Sequence, residues 1–311
     1  MTEILFSNLP ISAMFADTFS WVPAGGWIAI ATVLGALVGS FLNVVVHRLP
    51  KMMGAGSEEG GETPSEALSG TTPYNLAQPG SHCPSCQAPV RARHNIPLVS
   101  WVWLRGRCAD CQARIPLRYP LLELGSAVAC GAAIAHFGPT LEGLAVVVLL
   151  CSLLALAVID LEHFLLPDQI VLPLLWVGLL VNSGSLVTGL EAAIWGAAVG
   201  YCALYALNTV WRRFRQVEAL GLGDCKLAAA IGAWLGLSGL ATTLLLAGLG
   251  TAIIGIILRQ PANSSVPFGP GLAAGCVIVL FFQPYASITE GLWLYGNDIG
   301  LFPFNSTLPL K

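Results

Sequence analysis

The chain contains the apolar run Leu149-Leu-Cys-Ser-Leu-Leu-Ala-Leu-Ala-Val-Ile159, which ends directly at Asp160. With the residues that precede it from Leu141, this run is long enough to cross a membrane, for which about 17–25 residues are needed. A second aspartate, Asp224, lies in Gly221-Leu-Gly-Asp224, just ahead of another apolar run. Because a carboxylate near hydrocarbon persists mainly where it faces a cavity or does chemistry, the two aspartates form a candidate pair.

The composition indicates a protein that crosses the membrane several times. Of 311 residues, 55% are hydrophobic and only 10% are charged, whereas soluble domains have about 25% charged residues. The first 26 residues carry no basic residue ahead of an apolar stretch, so they do not resemble a cleavable signal peptide. We therefore predict an all-α polytopic membrane protein that is embedded in a lipid bilayer and binds no nucleic acid.

Apolar stretches of suitable length predict about eight transmembrane helices. We expect them at residues 27–46, 121–137, 141–159, 169–187, 191–211, 225–237, 239–258 and 269–282. The stretch 225–237 is short and interrupted by glycine. The polar region 47–119 separates the first span from the second, and its part 54–80 has the composition of a flexible insertion.

The basic residues predict the orientation of these spans. Eight of the 14 Lys and Arg residues fall in the polar region between the first two spans, and such residues concentrate on the cytoplasmic side. Residues 1–26 and 286–311 are then periplasmic, and 120–285 form the membrane core. Asp160 ends the third span and Asp224 begins the sixth, so both are expected on the cytoplasmic face of a bacterial inner membrane.

Two C-x-x-C pairs stand in the polar region. Cys83 and Cys86 are separated from Cys108 and Cys111 by 21 residues, a spacing close to that of structural zinc sites. Four thiolates complete a tetrahedron around zinc and leave no open position, so the metal would be structural. Redox pairs or unpaired thiols are the alternatives, although a reducing cytoplasm disfavours disulfides.

A pair of carboxylates has a defined chemistry. Two like charges about 3 Å apart cannot both ionise, so one stays protonated. The ionised group takes a proton from a water that attacks a carbonyl, and the protonated group stabilises the oxyanion. The purely structural alternatives are that Asp224 caps the following helix and that Asp160 is an ordinary residue at the membrane boundary. Glu162 and Asp168 are rival partners, and for Asp168 we expect helix capping instead.

Several motifs occur in a fixed order along the chain. They are Gly39-Ser-Phe-Leu-Asn-Val-Val-Val-His-Arg48, the two cysteine pairs, Asn95-Ile-Pro-Leu-Val-Ser-Trp101, Leu104-Arg-Gly-Arg-Cys108, Arg118-Tyr-Pro-Leu-Leu-Glu123, Leu165-Leu-Pro-Asp168, Gly221-Leu-Gly-Asp-Cys-Lys-Leu227 and Pro267-Phe-Gly-Pro270. Together they resemble the bacterial type IV prepilin peptidases, also called leader peptidase and N-methyltransferase, over about residues 27–285.

The resemblance implies an intramembrane aspartic endopeptidase. Such enzymes cut the basic leader from type IV prepilins or type II secretion pseudopilins after a glycine, and Asp160 and Asp224 match the family's catalytic pair. Many members then methylate the new N-terminal amine with S-adenosylmethionine. No cofactor fingerprint is visible, and we expect the donor in the segment from Asn95 to Arg107, with Asn95, Gly106 and Arg107 as candidates.

The chain departs from the family in two features. One is its long acidic insertion, and the other is Cys225, where an aromatic or aliphatic residue is frequent.

The sequence alone leaves other functions open. A peptidase without methyl transfer is the nearest alternative. A transporter that uses the two aspartates as an ion path is a different class, but no internal repeat is visible. A binding or assembly subunit is the third.

Overall fold

Helices account for the regular structure in the part of the chain that the structure describes. This computed structural model describes residues 22–54, 75–78, 80–215, 221–257 and 266–282. The helices are α1 (Ala24–Met52), α2 (Val99–Trp103), α3 (Arg118–Phe137), α4 (Leu141–His163), α5 (Asp168–Ser183), α6 (Leu190–Arg215), α7 (Leu222–Ile257) and α8 (Gly269–Phe282). A 3-10 turn covers Ala92–His94, and pairing between extended segments is limited there to isolated bridges.

The long helices have the length and composition of membrane spans. Helices α1, α3, α4, α6 and α7 are long and apolar enough to cross a bilayer, whereas α5 and α8 are apolar but shorter. Large apolar side chains such as Val33, Trp176 and Leu245 point outward and are exposed, as expected for lipid-facing surfaces. The polytopic all-α prediction is confirmed in this coarse form, and the count of eight spans stays a prediction.

The predicted boundary between the spans 225–237 and 239–258 falls at a kink in α7. Gly236 interrupts the helix with the non-helical angles φ 69° and ψ −175°, so α7 consists of two arms. Only glycine adopts such a backbone without strain. Buried Asn182 at the end of α5 donates to the carbonyls of Ala233 and Trp234, so it satisfies backbone groups that the kink releases.

A buried core joins α4, α5, α7 and α8. Trp234 is fully buried, and its indole nitrogen donates to the Leu174 carbonyl of α5 at 2.9 Å. Leu149, Leu153 and Leu156 of α4 are also fully buried in this core. Helices α1 and α3 pack mainly against each other. This arrangement fixes the end of α4 beside the starts of α5, α7 and α8.

Some predicted segments lie outside the described residues. They include the predicted periplasmic segment up to residue 21, most of the predicted insertion (55–74 and 79) and the predicted tail 286–311.

Candidate active site

Asp160 lies in the last turn of α4, three residues before the helix ends. Its side chain is only 5% exposed. The helix stops because Phe164 adopts a left-handed backbone, with φ 52°, while its amide still donates to the Asp160 carbonyl. The carboxylate atom Oδ2 accepts a hydrogen bond of 2.9 Å from the Gly269 amide at the start of α8.

Asp224 lies in the first turn of α7 and is 8% exposed. Its Oδ2 accepts a 3.1 Å hydrogen bond from the Gly221 amide, the reciprocal half of a capping box. The capping interpretation therefore accounts for one oxygen. The other oxygen, Oδ1, is buried and has no hydrogen-bond partner among the described residues. A buried acceptor without a partner costs about 1–3 kcal/mol, and a capping role does not explain why this oxygen is buried.

Asp160 and Asp224 lie within electrostatic range of each other. Gly223, beside Asp224, lies against the connection from α4 to α5, since a Cβ on it would come within 2.9 Å of the Leu166 Cβ. Glycine at this position thus permits the start of α7 to approach the end of α4. The arrangement brings together the two residues that the sequence paired.

The rival carboxylates already have cationic partners. Glu162 forms an ion pair with Arg118 at the start of α3. Asp168 receives two hydrogen bonds from the Lys226 ammonium, at 2.7 and 2.8 Å. The capping role that the sequence suggested for Asp168 is wrong, because the cap position of α5 is Pro167 and no side chain caps it. Neither group is placed as a second member of the pair.

Replacing Gly269 by alanine is expected to slow peptide cleavage by about tenfold to a hundredfold. A Cβ at this position would lie 2.7 Å from the Asp160 Oδ2, so the carboxylate must shift, and small displacements of a catalytic group have effects of this size. Cleavage rates of the purified variant measure the loss.

Gly248→Ala is the matched control, because nothing lies within 4 Å of a Cβ there. It should leave both the rate and the melting temperature near the wild-type values. Equal rates for Gly269→Ala and the wild type would contradict the assigned position of Asp160.

The four predicted metal ligands come together in space. The Sγ atoms of Cys83, Cys86, Cys108 and Cys111 all lie within 4.8 Å of one another, and those of Cys83 and Cys111 are 3.8 Å apart. A tetrahedral zinc site with Zn–S bonds of about 2.3 Å places its sulfurs about 3.8 Å apart. The cluster therefore has the dimensions of a four-thiolate site.

Two matched turns hold these cysteines. The Cys83 amide donates to the Ala88 carbonyl, and the Cys108 amide donates to the Ala113 carbonyl in the same way. Gln87 and Gln112 occupy equivalent positions four residues after the first cysteine of each pair, and both have a positive φ, of 59° and 60°. Each of these two turns, called a knuckle below, presents its two cysteine sulfurs on one side.

The backbone of the first knuckle favours a thiolate. Hydrogen bonds from the amides of Cys86 and Ser85 lower the pKa of Cys83 to about 6. For Cys86 the Ala88 amide acts in the same direction, but hydrogen bonds with the other thiols, Cys111 first, outweigh it and raise the pKa to about 12.

A cavity of about 520 Å³ lies between the second half of α1 and the cysteine-bearing segment. Asn95 lines this cavity, whereas Gly106 and Arg107 are not among its lining residues. The cavity wall also includes Asn43, Trp101, Tyr119 and Glu123, which lie within the motifs quoted above but were not named there as candidates for binding the donor. In the sequence, Asn43 could have been noticed as an asparagine within the apolar helix α1.

Two family models match the chain. One, described as the bacterial peptidase A24 N-terminal domain, matches residues 33–137. The other, described as the type IV leader peptidase family, matches residues 147–256. Asp160 and Asp224 fall within the second region, and all four clustered cysteines fall within the first. No solved structure matches the chain.

Curated relatives cover most of the chain. A prepilin leader peptidase/N-methyltransferase of Stutzerimonas stutzeri is 44% identical over 264 residues, which are 82% of this chain and 91% of the relative. Proteins of the same name from Burkholderia pseudomallei strain 1026b and Pseudomonas aeruginosa are each 43% identical, and cover 85% and 82% of this chain and 88% and 90% of their own lengths. The similarity thus extends over both regions of the chain.

Proposed function

The chain belongs to the type IV leader peptidase family, and we propose that Asp160 and Asp224 are the pair with which it cuts the leader from prepilins. It is an enzyme with two activities, prepilin peptidase and N-methyltransferase. The observation that carries the assignment is the buried Asp224 Oδ1, which has no partner among the described residues although Oδ2 is hydrogen bonded.

The proposed cleavage uses one water between the two carboxylates. The ionised carboxylate takes a proton from the water, whose oxygen attacks the carbonyl carbon of the scissile peptide bond. The protonated carboxylate donates its proton to the carbonyl oxygen. When the tetrahedral intermediate collapses, the C–N bond breaks and the new amine leaves with a proton from the pair. Amides of Gly269 and Gly221 each hold one carboxylate oxygen and so orient the groups.

The proposed substrate fits a site at the membrane surface. A prepilin or pseudopilin has a basic leader followed by an apolar helix, so the helix can lie in the bilayer while the leader stays in the cytoplasm with the enzyme's own basic residues. We propose that the chain crosses the inner membrane eight times, with the two arms of α7 counted separately. Cleavage then takes place after a glycine on the cytoplasmic face. On this basis residues 1–26 and 286–311 are periplasmic, 47–119 are cytoplasmic and 120–285 form the catalytic core.

The four clustered cysteines are the proposed ligands of a structural zinc ion. Support comes from the spacing of their sulfur atoms and from the two matched knuckles. The zinc would stabilise the cytoplasmic segment, whose core is otherwise small, and would take no part in cleavage.

The transporter alternative is not favoured, because Asp160 and Asp224 lie in a chain whose relatives are named as peptidases.

A single experiment tests both activities. Purified protein is incubated with a prepilin and methyl-labelled S-adenosylmethionine, and leader removal and label incorporation are followed in time. We expect both, with label appearing only on the shortened product, because the amine does not exist before cleavage. A prepilin that already lacks its leader serves as the control and should be labelled without cleavage. An intact prepilin that stays uncut would contradict the proposed function.

A further inference from the structure

We propose that the cavity between α1 and the cysteine-bearing segment binds the methyl donor, S-adenosylmethionine, through Asn43, Trp101 and Glu123. This inference rests on the N-methyltransferase activity stated above. The cavity volume of about 520 Å³ lies within the range of about 300–1,000 Å³ that is usual for small-molecule sites. Its walls combine aromatic, acidic and amide side chains, which suit a ligand with an adenine ring, a sulfonium and an amino acid.

Asn43 offers a buried acceptor in this cavity. It is 5% exposed, and its Nδ2 donates to the carbonyls of Tyr119 and Gly39, at 3.1 and 3.3 Å. Since both partners are acceptors, the amide nitrogen must face them, which fixes the orientation of the side chain. The Oδ1 atom is then left without a partner among the described residues. An amino group of the donor, on adenine or on its amino acid part, would satisfy it.

Trp101 offers the complementary donor. Its indole Nε1 is buried and has no hydrogen-bond partner within the described ranges. The ring lies directly over the backbone of Gly106, where a Cβ would come within 2.9 Å of the ring carbon Cζ2, and Gly106 has a φ of +67°. Gly106 therefore acts as a positioning residue for Trp101, which gives a physical reason for the candidate role that the sequence suggested.

The charges of the cavity suit a cationic ligand that also has a carboxylate. Glu123 lines it, and its Oε2 accepts a 2.7 Å hydrogen bond from the Leu98 amide. A fixed carboxylate attracts a sulfonium, and the indole ring of Trp101 would stabilise a cation through its quadrupole. Lys51 and Arg114 also line the cavity and would pair with the carboxylate of the donor.

The test measures donor affinity separately from turnover. Trp101→Phe removes the indole N–H but keeps an aromatic ring, and Glu123→Gln removes the charge. In the full-length protein in detergent, calorimetry with S-adenosylmethionine should show Kd raised by about tenfold or more in each variant, as expected when a buried partner is lost. Trp103→Phe is the matched control, because Trp103 lies in the same helix and is exposed.

A second measurement needs no substitution. Ultraviolet cross-linking of labelled S-adenosylmethionine to the wild-type protein, followed by peptide mapping, should place the label on α1, on the cysteine-bearing segment 81–116 or on the start of α3. Label elsewhere, or unchanged affinity in both variants while the wild type methylates, overturns the proposed site but leaves the activity intact. A wild-type protein that cleaves but neither binds the donor nor transfers a methyl group refutes the methyltransferase activity itself, and this site with it.

Discussion

Replacing either Asp160 or Asp224 by asparagine is expected to reduce prepilin cleavage by at least about a thousandfold. Each carboxylate has a separate role in the proposed chemistry, and an amide can neither take a proton from water nor give one to the carbonyl oxygen. Losing one member of a catalytic unit usually removes most of the acceleration that the unit provides. Rates on a purified prepilin in detergent measure the effect.

Asparagine is the informative replacement because it preserves the observed contacts. The amide oxygen can still accept the Gly269 hydrogen bond at position 160 or the Gly221 hydrogen bond at position 224. Expression and melting temperature should therefore stay close to wild type. A loss of activity in a folded variant then reports on chemistry.

Two control variants test whether the loss of cleavage is specific to Asp160 and Asp224 or follows from removing any carboxylate. Glu142→Gln changes a residue in the first turn of α4, the helix whose last turn holds Asp160, and should leave cleavage unchanged. Asp168→Asn tests the rival group and should have a much smaller effect, since its charge is already paired with Lys226. If Asp168→Asn abolished cleavage while Asp160→Asn did not, the pair would be assigned wrongly.

The second large effect concerns the metal. Wild-type protein is expected to contain about one zinc per chain, and Cys83→Ser or Cys108→Ser should contain close to none, because a structural site needs its four ligands. Elemental analysis of the purified proteins measures the content. Structural zinc contributes about 10–16 kcal/mol in small zinc-dependent modules, so its loss should unfold the segment around the cysteines.

Cys202→Ser is the control for this prediction. Cys202 is an exposed cysteine of α6 outside the cluster, and its replacement should leave the zinc content at the wild-type level. In the Cys83→Ser variant methyl transfer should fall more than cleavage, because the cluster borders the cavity while both aspartates lie in other helices. Wild-type protein without zinc would contradict the metal assignment.

The helices were largely predictable because hydrophobic length governs them. Helix α8 covers the predicted range 269–282, and α3 ends at Phe137 as expected. The kink at Gly236 falls at the predicted boundary between 225–237 and 239–258, but the contact that supports it was not predictable in this way. It depends on Asn182, which lies about 50 residues earlier and satisfies carbonyls that the kink frees.

The site was predictable in its residues but not in its contacts. The family resemblance, now confirmed, drew attention to Asp160 and Asp224. The Gly269 amide that holds Asp160 comes from a residue 109 positions away, and no local pattern encodes such a contact. The roles proposed for Asn43 and Trp101 likewise depend on buried atoms whose lack of partners appears only in three dimensions.

The most direct test of the central claim, that both carboxylates act on one water, compares two inhibitors. One is a prepilin peptide with a hydroxyethylene group in place of the scissile bond, and the other is the same peptide without the hydroxyl. The hydroxyl takes the place of the attacking water, so wild-type protein should bind the first at least about a hundredfold more tightly. Asp160→Asn and Asp224→Asn should each bind the two peptides about equally. A wild-type protein that does not distinguish them, or either variant that still does, would contradict the account.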